Sequence, residues 1–408
     1  MSDLKAKLII PNAMSEEDRV TVLQTASLFL SEDEYQQLNT PDHAIFPGFT
    51  DVHVHFREPG FSYKETILSG SKSAAAGGYT DVCTMPNLSP VSDSLEHLRL
   101  QQDIIDRDAV IGVHPYGAIT IGELGRELVN MEAMAPYIIA FSDDGKGVQD
   151  RGIMREAMGR AKALNKLIVA HCEDETLLTG GCIHEGEYAK AHGHRGISSE
   201  SEWKQVERDV ELAGETGCSY HVCHVSTKES VEIIREAQKS GVDVTGETAP
   251  HYLILTDMDL REDGRFKMNP PIRSKADREA LIEGINDGTL GMLITDHAPH
   301  SPEEKSKGLA GSPFGIVGLE TAFPLVYTYL IEKGIVTMDR AIEDLTVAPR
   351  KRFGLPTNKD FTIFNIKDEY EINPEEFKTK GRATPFAGWQ VKGRCMMTVR
   401  NGEAVYRR

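Results

Sequence analysis

From about residue 45 to about residue 300, short runs of apolar and β-branched residues alternate with longer stretches whose apolar positions recur three or four residues apart. This alternation of periods predicts repeated βα units around a parallel sheet. The predicted strands end near Val52, Met85, Ala118, Phe141, Ala170, Cys223, Glu247 and Thr295, and eight strands suffice to close a barrel. The intervening stretches predict helices over 63–76, 95–106, 153–164, 201–215, 228–240 and 275–287. In the fifth of these, Val231, Ile233, Ile234 and Ala237 supply the apolar positions. Gly77-Gly78 and Gly241 stand where helices must stop before the next strand. An open, doubly wound sheet would instead carry a glycine-rich phosphate turn after its first strand. No Gly-x-Gly-x-x-Gly follows Val52, and no Gly-Lys-Ser/Thr occurs anywhere in the chain. The pattern therefore predicts an α/β fold, a (β/α)8 TIM barrel.

The flanks read differently. Residues 1–44 are acidic and partly helical in pattern, as at 15–23. Residues 358–408 alternate apolar and polar positions, as in Phe361-Thr362-Ile363-Phe364, with a hairpin turn expected at Asn401-Gly402. Segments 1–44 and 358–408 are expected to form a small composite, β-rich appendage to a barrel spanning 45–357. The polar, glycine-containing run Ser301 to Ser312 is expected to be a mobile loop over the site at the barrel mouth.

Composition narrows the function without deciding it. A chain of 408 residues exceeds one ordinary compact domain but suits a closed barrel with additions. The formal charge of −18, from 45 basic and 63 acidic residues, disfavours nucleic acid and anionic membrane as partners. A small anionic substrate stays compatible, because Arg57 and a bound metal can outweigh distant charge. No apolar run reaches the roughly 18 residues of a membrane span, and the opening residues lack the apolar core of a secretion signal. A cytoplasmic location is expected. The cysteines, Cys83, Cys172, Cys182, Cys218, Cys223 and Cys395, form no Cys-x-x-Cys pair and are expected to be mostly buried free thiols. Strand alternation turns Cys172 to the face opposite His171.

The chemistry lies at the strand ends. His53 and His55 are two apart in an extended segment, so both imidazoles project from one face and can reach one ion. Asp143 and Asp144 follow the run ending at Phe141, and His171 follows Ala170. His224 follows Cys223, and Asp296, with His297 and His300 close behind, follows Thr295. Barrels of this kind keep their chemistry at the C-terminal ends of the strands. Imidazole with carboxylate suits zinc or a similar divalent ion, and one shared carboxylate can hold two. Two ions about 3.5–4 Å apart polarise a carbonyl and bring a water toward hydroxide near neutral pH. A neighbouring carboxylate can take the water's proton and pass it to a leaving nitrogen, and Asp296 is placed for that task. His221, three residues before His224, faces the other way and is expected in the core or behind a ligand. His184, His192 and His194, in a glycine-rich region, are expected at the surface.

These residues belong to a longer ordered series: Asp51 to Gly60 (DVHVHFREPG), Thr84 to Asn87 (TMPN), Phe141 to Gly145 (FSDDG), Ala170 to Asp174 (AHCED), Cys223 to Thr227 (CHVST), Lys267 to Pro271 (KMNPP), Thr295 to His300 (TDHAPH) and Pro313 to Glu320 (PFGIVGLE). Over about residues 45 to 390 the chain resembles the bacterial type I dihydroorotases of the amidohydrolase superfamily. The resemblance implies an enzyme with two zinc ions per subunit that interconverts N-carbamoyl-L-aspartate and L-dihydroorotate in pyrimidine (UMP) biosynthesis. It implies His53, His55 and Asp296 around one zinc, His171 and His224 around the other, and Asp144 between them. It further implies that Arg57, Asn87 and His300 meet the substrate carboxylate, with His55 also beside the substrate. Asn269 and the backbone near Phe314 and Gly315 would touch the ring. Asp296 would serve as general acid and base, so cyclisation should gain on ring opening as pH falls.

The first 44 residues do not resemble the family's opening β-strands, and the segment Leu355 to Asp360 is shorter than the family's return into its β-domain. Two rival readings follow from the same resemblance. One is a related cyclic amidase, such as a dihydropyrimidinase or allantoinase, which does not need an anchor like Arg57. The other is a non-catalytic scaffold partner of aspartate transcarbamoylase; such chains typically lose metal ligands, and this one keeps all six. A homodimer and association with aspartate transcarbamoylase are both compatible with the family.

Overall fold

The computed structural model describes residues 24–26, 29–356 and 359–408, so the helical pattern at 15–23 lies outside the described residues. The first strand, β1 (His43–Pro47), stands apart from the barrel. Gly48 then turns the chain into β2 (Phe49–Val54), so close to the next strand that a Cβ would come within 2.3 Å of the Thr80 side chain. The barrel runs in parallel from β2 to β3 (Tyr79–Thr84) and β4 (Gly112–Pro115). Phe141 alone represents the fourth stave, bridging Gly117 on one side and Ile168 on the other. From there β5 (Ile168–Ala170) leads, past the small outlying pair β6 (Ile183–His184) and β7 (Gly196–Ile197), to β8 (Tyr220–Val222), β9 (Val244–Thr248) and β10 (Met292–Leu293). A bridge from His297 back to Val54 closes the ring. Asp51 reinforces that seam: its carboxylate accepts from the backbone N–H of His53 (2.9 Å) and of Thr295 (3.0 Å) and from the Thr295 hydroxyl (2.6 Å).

The predicted helices are present, with shifted ends. The first starts at Ile67 rather than 63, because the Thr66 hydroxyl accepts from the Ser69 N–H and caps it there. The strand predicted to end near Phe141 shrinks to that residue because Ala135–Tyr137, with Pro136, forms a 3₁₀ turn that delays the extended chain. The run after the last stave is no open loop: Pro302–Lys305 and Gly308–Gly311 are short helical turns, the second packed against the turn Gly264–Phe266.

The appendage is an antiparallel sheet in the order β1, β11 (Phe361–Glu371), β12 (Gln390–Arg400), β13 (Glu403–Arg407). Asn401 and Gly402, at φ 52° and 77°, make the expected hairpin turn. One face joins the barrel core, where Phe46, Phe49, Phe323 and Phe364 cluster with ring centroids 4.4 to 5.9 Å apart. The other face packs Ile45, Phe361, Ile363, Met397 and Val399 beneath Ala26 and Leu30. An extra residue, Met396, lies between the pairs Phe364–Cys395 and Ile363–Met397. This bulge swings the odd-numbered side chains of β12 from the barrel face to the outer face.

Glu320 is half-buried at the seam between barrel and appendage, accepting from the Ser73 hydroxyl (2.8 Å) and the N–H groups of Lys378 (2.7 Å) and Thr379 (3.2 Å). Burial pushes its carboxyl up to about 7. The folded state therefore binds more protons than the unfolded chain between the ordinary glutamate range and that value, and stability falls as pH climbs through this window. Glu320→Gln removes the term. Relative to the parent, the variant should gain roughly 1–3 kcal/mol between about pH 5 and pH 8, read from urea unfolding at the two pH values.

Candidate metal and substrate site

The ring of staves brings His53, His55, Asp144, His171, His224 and Asp296 together at one end of the barrel, each at most 6% exposed. Asp144 is central. Its Oδ1 faces His53 Nε2 at 3.3 Å, His224 Nε2 at 3.7 Å and His171 Nδ1 at 3.9 Å, while its Oδ2 faces His55 Nε2 at 3.5 Å. Asp296 Oδ1 lies 3.2 Å from His55 Nε2 and 3.6 Å from His53 Nε2. His171 Nδ1 and His224 Nε2 are 3.0 Å apart. Two of these residues, His224 (φ 31°) and Asp296 (φ 47°), hold left-handed backbone that costs a non-glycine residue about 1–3 kcal/mol. Both sit where the chain leaves a stave, and the strained turn aims the side chain inward.

Side-chain oxygens behind the imidazoles choose which nitrogen faces the centre. His53 Nδ1 donates to Glu247 Oε1 at 2.7 Å, and His55 Nδ1 donates to Asn87 Oδ1 at 3.0 Å, leaving Nε2 of each ring turned inward. His171 presents Nδ1 instead, its Nε2 lying 3.5 Å from Glu173. Glu247 also takes His221 Nε2 at 3.0 Å and the His224 backbone N–H at 3.2 Å, so one buried carboxylate orients two candidate ligands. His221 thus stands behind the ligands, as its strand offset indicated. Asp143 is spent on the backbone N–H of Ile119 (2.7 Å) and Thr120 (3.0 Å) and on the Thr120 hydroxyl. His297 faces Glu65 and the Gly318 N–H, away from the cluster. Cys172 Sγ lies 3.2 Å from the Tyr220 hydroxyl, and the six cysteines are free and buried. His184, expected at the surface, is buried because Arg273 reaches its Nδ1 at 3.3 Å from a neighbouring loop.

The residues fit a divalent cation. His53 Nε2 and Asp144 Oδ1 are buried, lack hydrogen-bond partners and face each other. His53, Asp144 and His224 offer ligand atoms in one mutual group, and His53, His55 and Asp296 in another. Charge tells the same story. Burial opposes a proton on His53, but Asp144 and Glu247 raise the imidazole well above its ordinary value. Burial likewise pushes Asp144 up, and the surrounding His53, His224 and His55 reverse this and hold it well below the carboxylate range. A cation would replace that proton.

Above the cluster lies a cavity of about 220 Å³ lined by His55, Arg57, Asn87, Asp144, His171, His224, Asn269, Asp296, His300, Phe314 and Gly315. Arg57 donates Nε–H to the Pro299 carbonyl at 3.3 Å. Asn87 is partly spent on the site itself, donating to the Asp144 backbone carbonyl and Oδ2 at 3.3 Å each. His300 is fully engaged: Nε2–H donates to the Phe314 carbonyl at 2.7 Å, and Nδ1 receives from Lys64 Nζ at 3.1 Å. Burial, with Arg57 and Lys64, pulls His300 down to about 3, so it is neutral. Lys64, which the motif reading passed over, stands behind His300 and is paired with Glu304 at 3.0 Å. Asn269 donates to both oxygens of Glu173 at 3.1 Å, and its own Oδ1 is buried without a partner. A larger cavity of about 470 Å³, beside Glu320, Tyr370 and Arg394, contains none of these residues.

Comparison with known proteins agrees with this arrangement. A family described as dihydro-orotase-like matches residues 42–230. The chain is 49% identical over 387 residues to the dihydroorotase of Geobacillus sp. (strain WCH70), covering 93% of this chain and 91% of that protein. It is 46% identical over 409 residues to the dihydroorotase of Geobacillus thermodenitrificans (strain NG80-2), covering 98% and 95%. The chain belongs to the dihydroorotase family. Among solved structures, the L-hydantoinase (dihydropyrimidinase) from Arthrobacter aurescens aligns with a TM-score of 0.79 at 25% identity, over 89% of this chain and 85% of that one. The D-hydantoinase from Thermus sp. aligns at 0.77 and 23% identity, over 90% and 85%, which bears on the fold alone.

For this member of the dihydroorotase family, Glu247 was named in the sequence only as the end of a strand. Its spacing to His53 is 194 residues, so no local pattern could expose the pair. Glu247→Gln should weaken divalent-metal affinity by roughly 10–100-fold while leaving the candidate ligands in place. Competition against a chromophoric chelator measures it, and affinity in the parent should fall as pH falls, because the proton on His53 competes with the ion.

Proposed function

We propose that the protein catalyses the reversible cyclisation of N-carbamoyl-L-aspartate to L-dihydroorotate, the dihydroorotase step of pyrimidine biosynthesis. The observation that carries the reading is Arg57 in one small cavity with the His and Asp cluster: a cation for a substrate carboxylate beside residues suited to metal-assisted amide chemistry. The same reading makes His53, His55 and Asp296 ligands of one zinc, His171 and His224 ligands of a second, and Asp144 the ligand common to both. When bound, the two zinc ions would polarise the scissile carbonyl and acidify a water.

The chain's own groups do the rest. Burial raises the Asp296 carboxyl, but the hydrogen bond from His55 and the charges of His53 and His55 outweigh it and hold it below its ordinary value. Asp296 is therefore ionised at neutral pH and ready to take a proton in ring opening, then return it to the departing nitrogen. In cyclisation it must start protonated, which favours that direction as pH falls. Arg57 binds the substrate carboxylate, with Asn87 and His300 lining the same cavity and Lys64 behind His300. Asn269 Oδ1, buried and without a partner, is available to a ring N–H, and the backbone of Phe314 and Gly315 closes the far wall. The catalytic barrel and its appendage are read as two units, the boundary falling after β1 rather than at residue 45, because β1 pairs with β11 and Ile45 packs in the separate outer core over the sheet. Among the described residues no helix is long and apolar enough to cross a membrane. The pathway role is the ground for a cytoplasmic location and for a homodimer or an association with aspartate transcarbamoylase.

The likeness to hydantoinase and dihydropyrimidinase structures favours the second reading, a cyclic amidase without a substrate carboxylate. Metal-replete protein assayed by ultraviolet absorbance should open L-dihydroorotate and leave dihydrouracil unchanged. Arg57→Gln should raise KM for dihydroorotate by about 10–100-fold with metal content intact, the worth of one charge-assisted anchor. Turnover of dihydrouracil alone would move the assignment to the dihydropyrimidinases, and loss of metal in Arg57→Gln would remove the anchoring role.

A further inference from the structure

Lys305 is 6% exposed, yet among the described residues no carboxylate lies within ion-pair distance of it. Its three N–H groups go instead to three backbone carbonyls: Lys267 at 3.0 Å, Pro313 at 2.9 Å and Gly315 at 2.7 Å. An ammonium buried without a counter-ion is expensive, and three carbonyls are the full complement that a Lys head can bind. The acceptors come from two different segments. One, at Lys267, leads into Asn269; the other contains Phe314 and Gly315.

Lys267 answers from the opposite side. Its Nζ donates to the Ala310 carbonyl at 3.0 Å and lies 4.6 Å from the centre of the Phe314 ring. The Gly315 N–H donates back to the Lys267 carbonyl at 3.1 Å. At Gly264 a Cβ would come within 2.3 Å of the Lys305 carbonyl and the Ser312 hydroxyl, so the two segments lie flush. The run expected to be a mobile loop is thus stapled down by two lysines, each binding the other's segment.

We infer that Lys305, with Lys267 opposite, is a positioning residue that fixes the backbone of Phe314 and Gly315 as one wall of the substrate cavity. Lys305 touches no reacting atom; it acts through the carbonyls on either side of Phe314. The effect on turnover rests on the dihydroorotase reading above, while the effect on the wall does not.

The test compares the full-length parent with K305M and K267M in steady-state kinetics, metal analysis and amide hydrogen exchange. K305M keeps the apolar stem and removes the three donors. It should raise KM for L-dihydroorotate about tenfold or more, change kcat less than about threefold, and keep the parent's metal content. Exchange should quicken at Gly315 and Ser312 and stay unchanged at Cys223, whose N–H lies in the barrel at 3.1 Å from the Ala170 carbonyl. K267M should show the same pattern more weakly, and it carries the test if K305M does not fold. An unchanged KM with unchanged exchange at Gly315 would overturn the proposal. So would a general loss of metal, kcat and exchange protection, which marks a merely structural role. If the parent does not open dihydroorotate, the reading of function fails, and faster exchange confined to 312–315 in either variant still decides the positioning claim.

Discussion

Asp144 is a carboxylate sunk among four imidazoles, and the rest of the site is arranged to make that burial tolerable. An isolated charge so placed would be far too costly, and the protein answers chiefly with the positive charge of His53. His53 takes up a proton, Asp144 keeps none, and Glu247 behind His53 is held at about 2, its burial outweighed by the charge on His53 and the hydrogen bonds from His221 and His53. Alternating layers of acid and imidazole run from the barrel interior to the cavity floor. A divalent cation fits the middle of that sequence because it replaces the proton that His53 otherwise carries.

The barrel exists, for this purpose, to bring distant residues within ligand range. His53 and His224 come from staves that are not neighbours and lie far apart in the chain, yet their rings lie 4.8 Å apart. The closing bridge from His297 to Val54, with Asp51 pinning Thr295, sets the spacing between the His53–His55 pair and Asp296. Left-handed turns at His224 and Asp296 complete the aim. The appendage sheet does not enter the cavity; it anchors the barrel's first strand through the shared cluster of Phe46, Phe49, Phe323 and Phe364.

Much of this was legible in one dimension, for definable reasons. Period-two and period-three-to-four hydrophobic patterns report burial directly, so the staves and the helices over 95–106 and 275–287 could be read within a turn. His53 and His55 were legible because two residues of a strand share a face. Choosing Asp144 over Asp143 required resemblance, and the structure gives the physical difference: Asp143 is consumed by backbone N–H groups of the 119–120 turn. Glu247, Lys64 and Lys305 were missed because their partners lie far away in the chain or are backbone carbonyls, which no side-chain motif announces. The fourth stave was over-read for the opposite reason, since Ile138, Ile139 and Phe141 are apolar enough for a strand while Pro136 delays it.

On the proposed reading, one carboxylate, Asp144, would hold two ions at a single centre. Elemental analysis of metal-replete, desalted parent protein and of Asp144→Asn, matched for folding by circular dichroism, tests it most directly. The account predicts two divalent ions per chain in the parent and fewer than one in the variant. A folded Asp144→Asn protein that retains two ions per chain would contradict it.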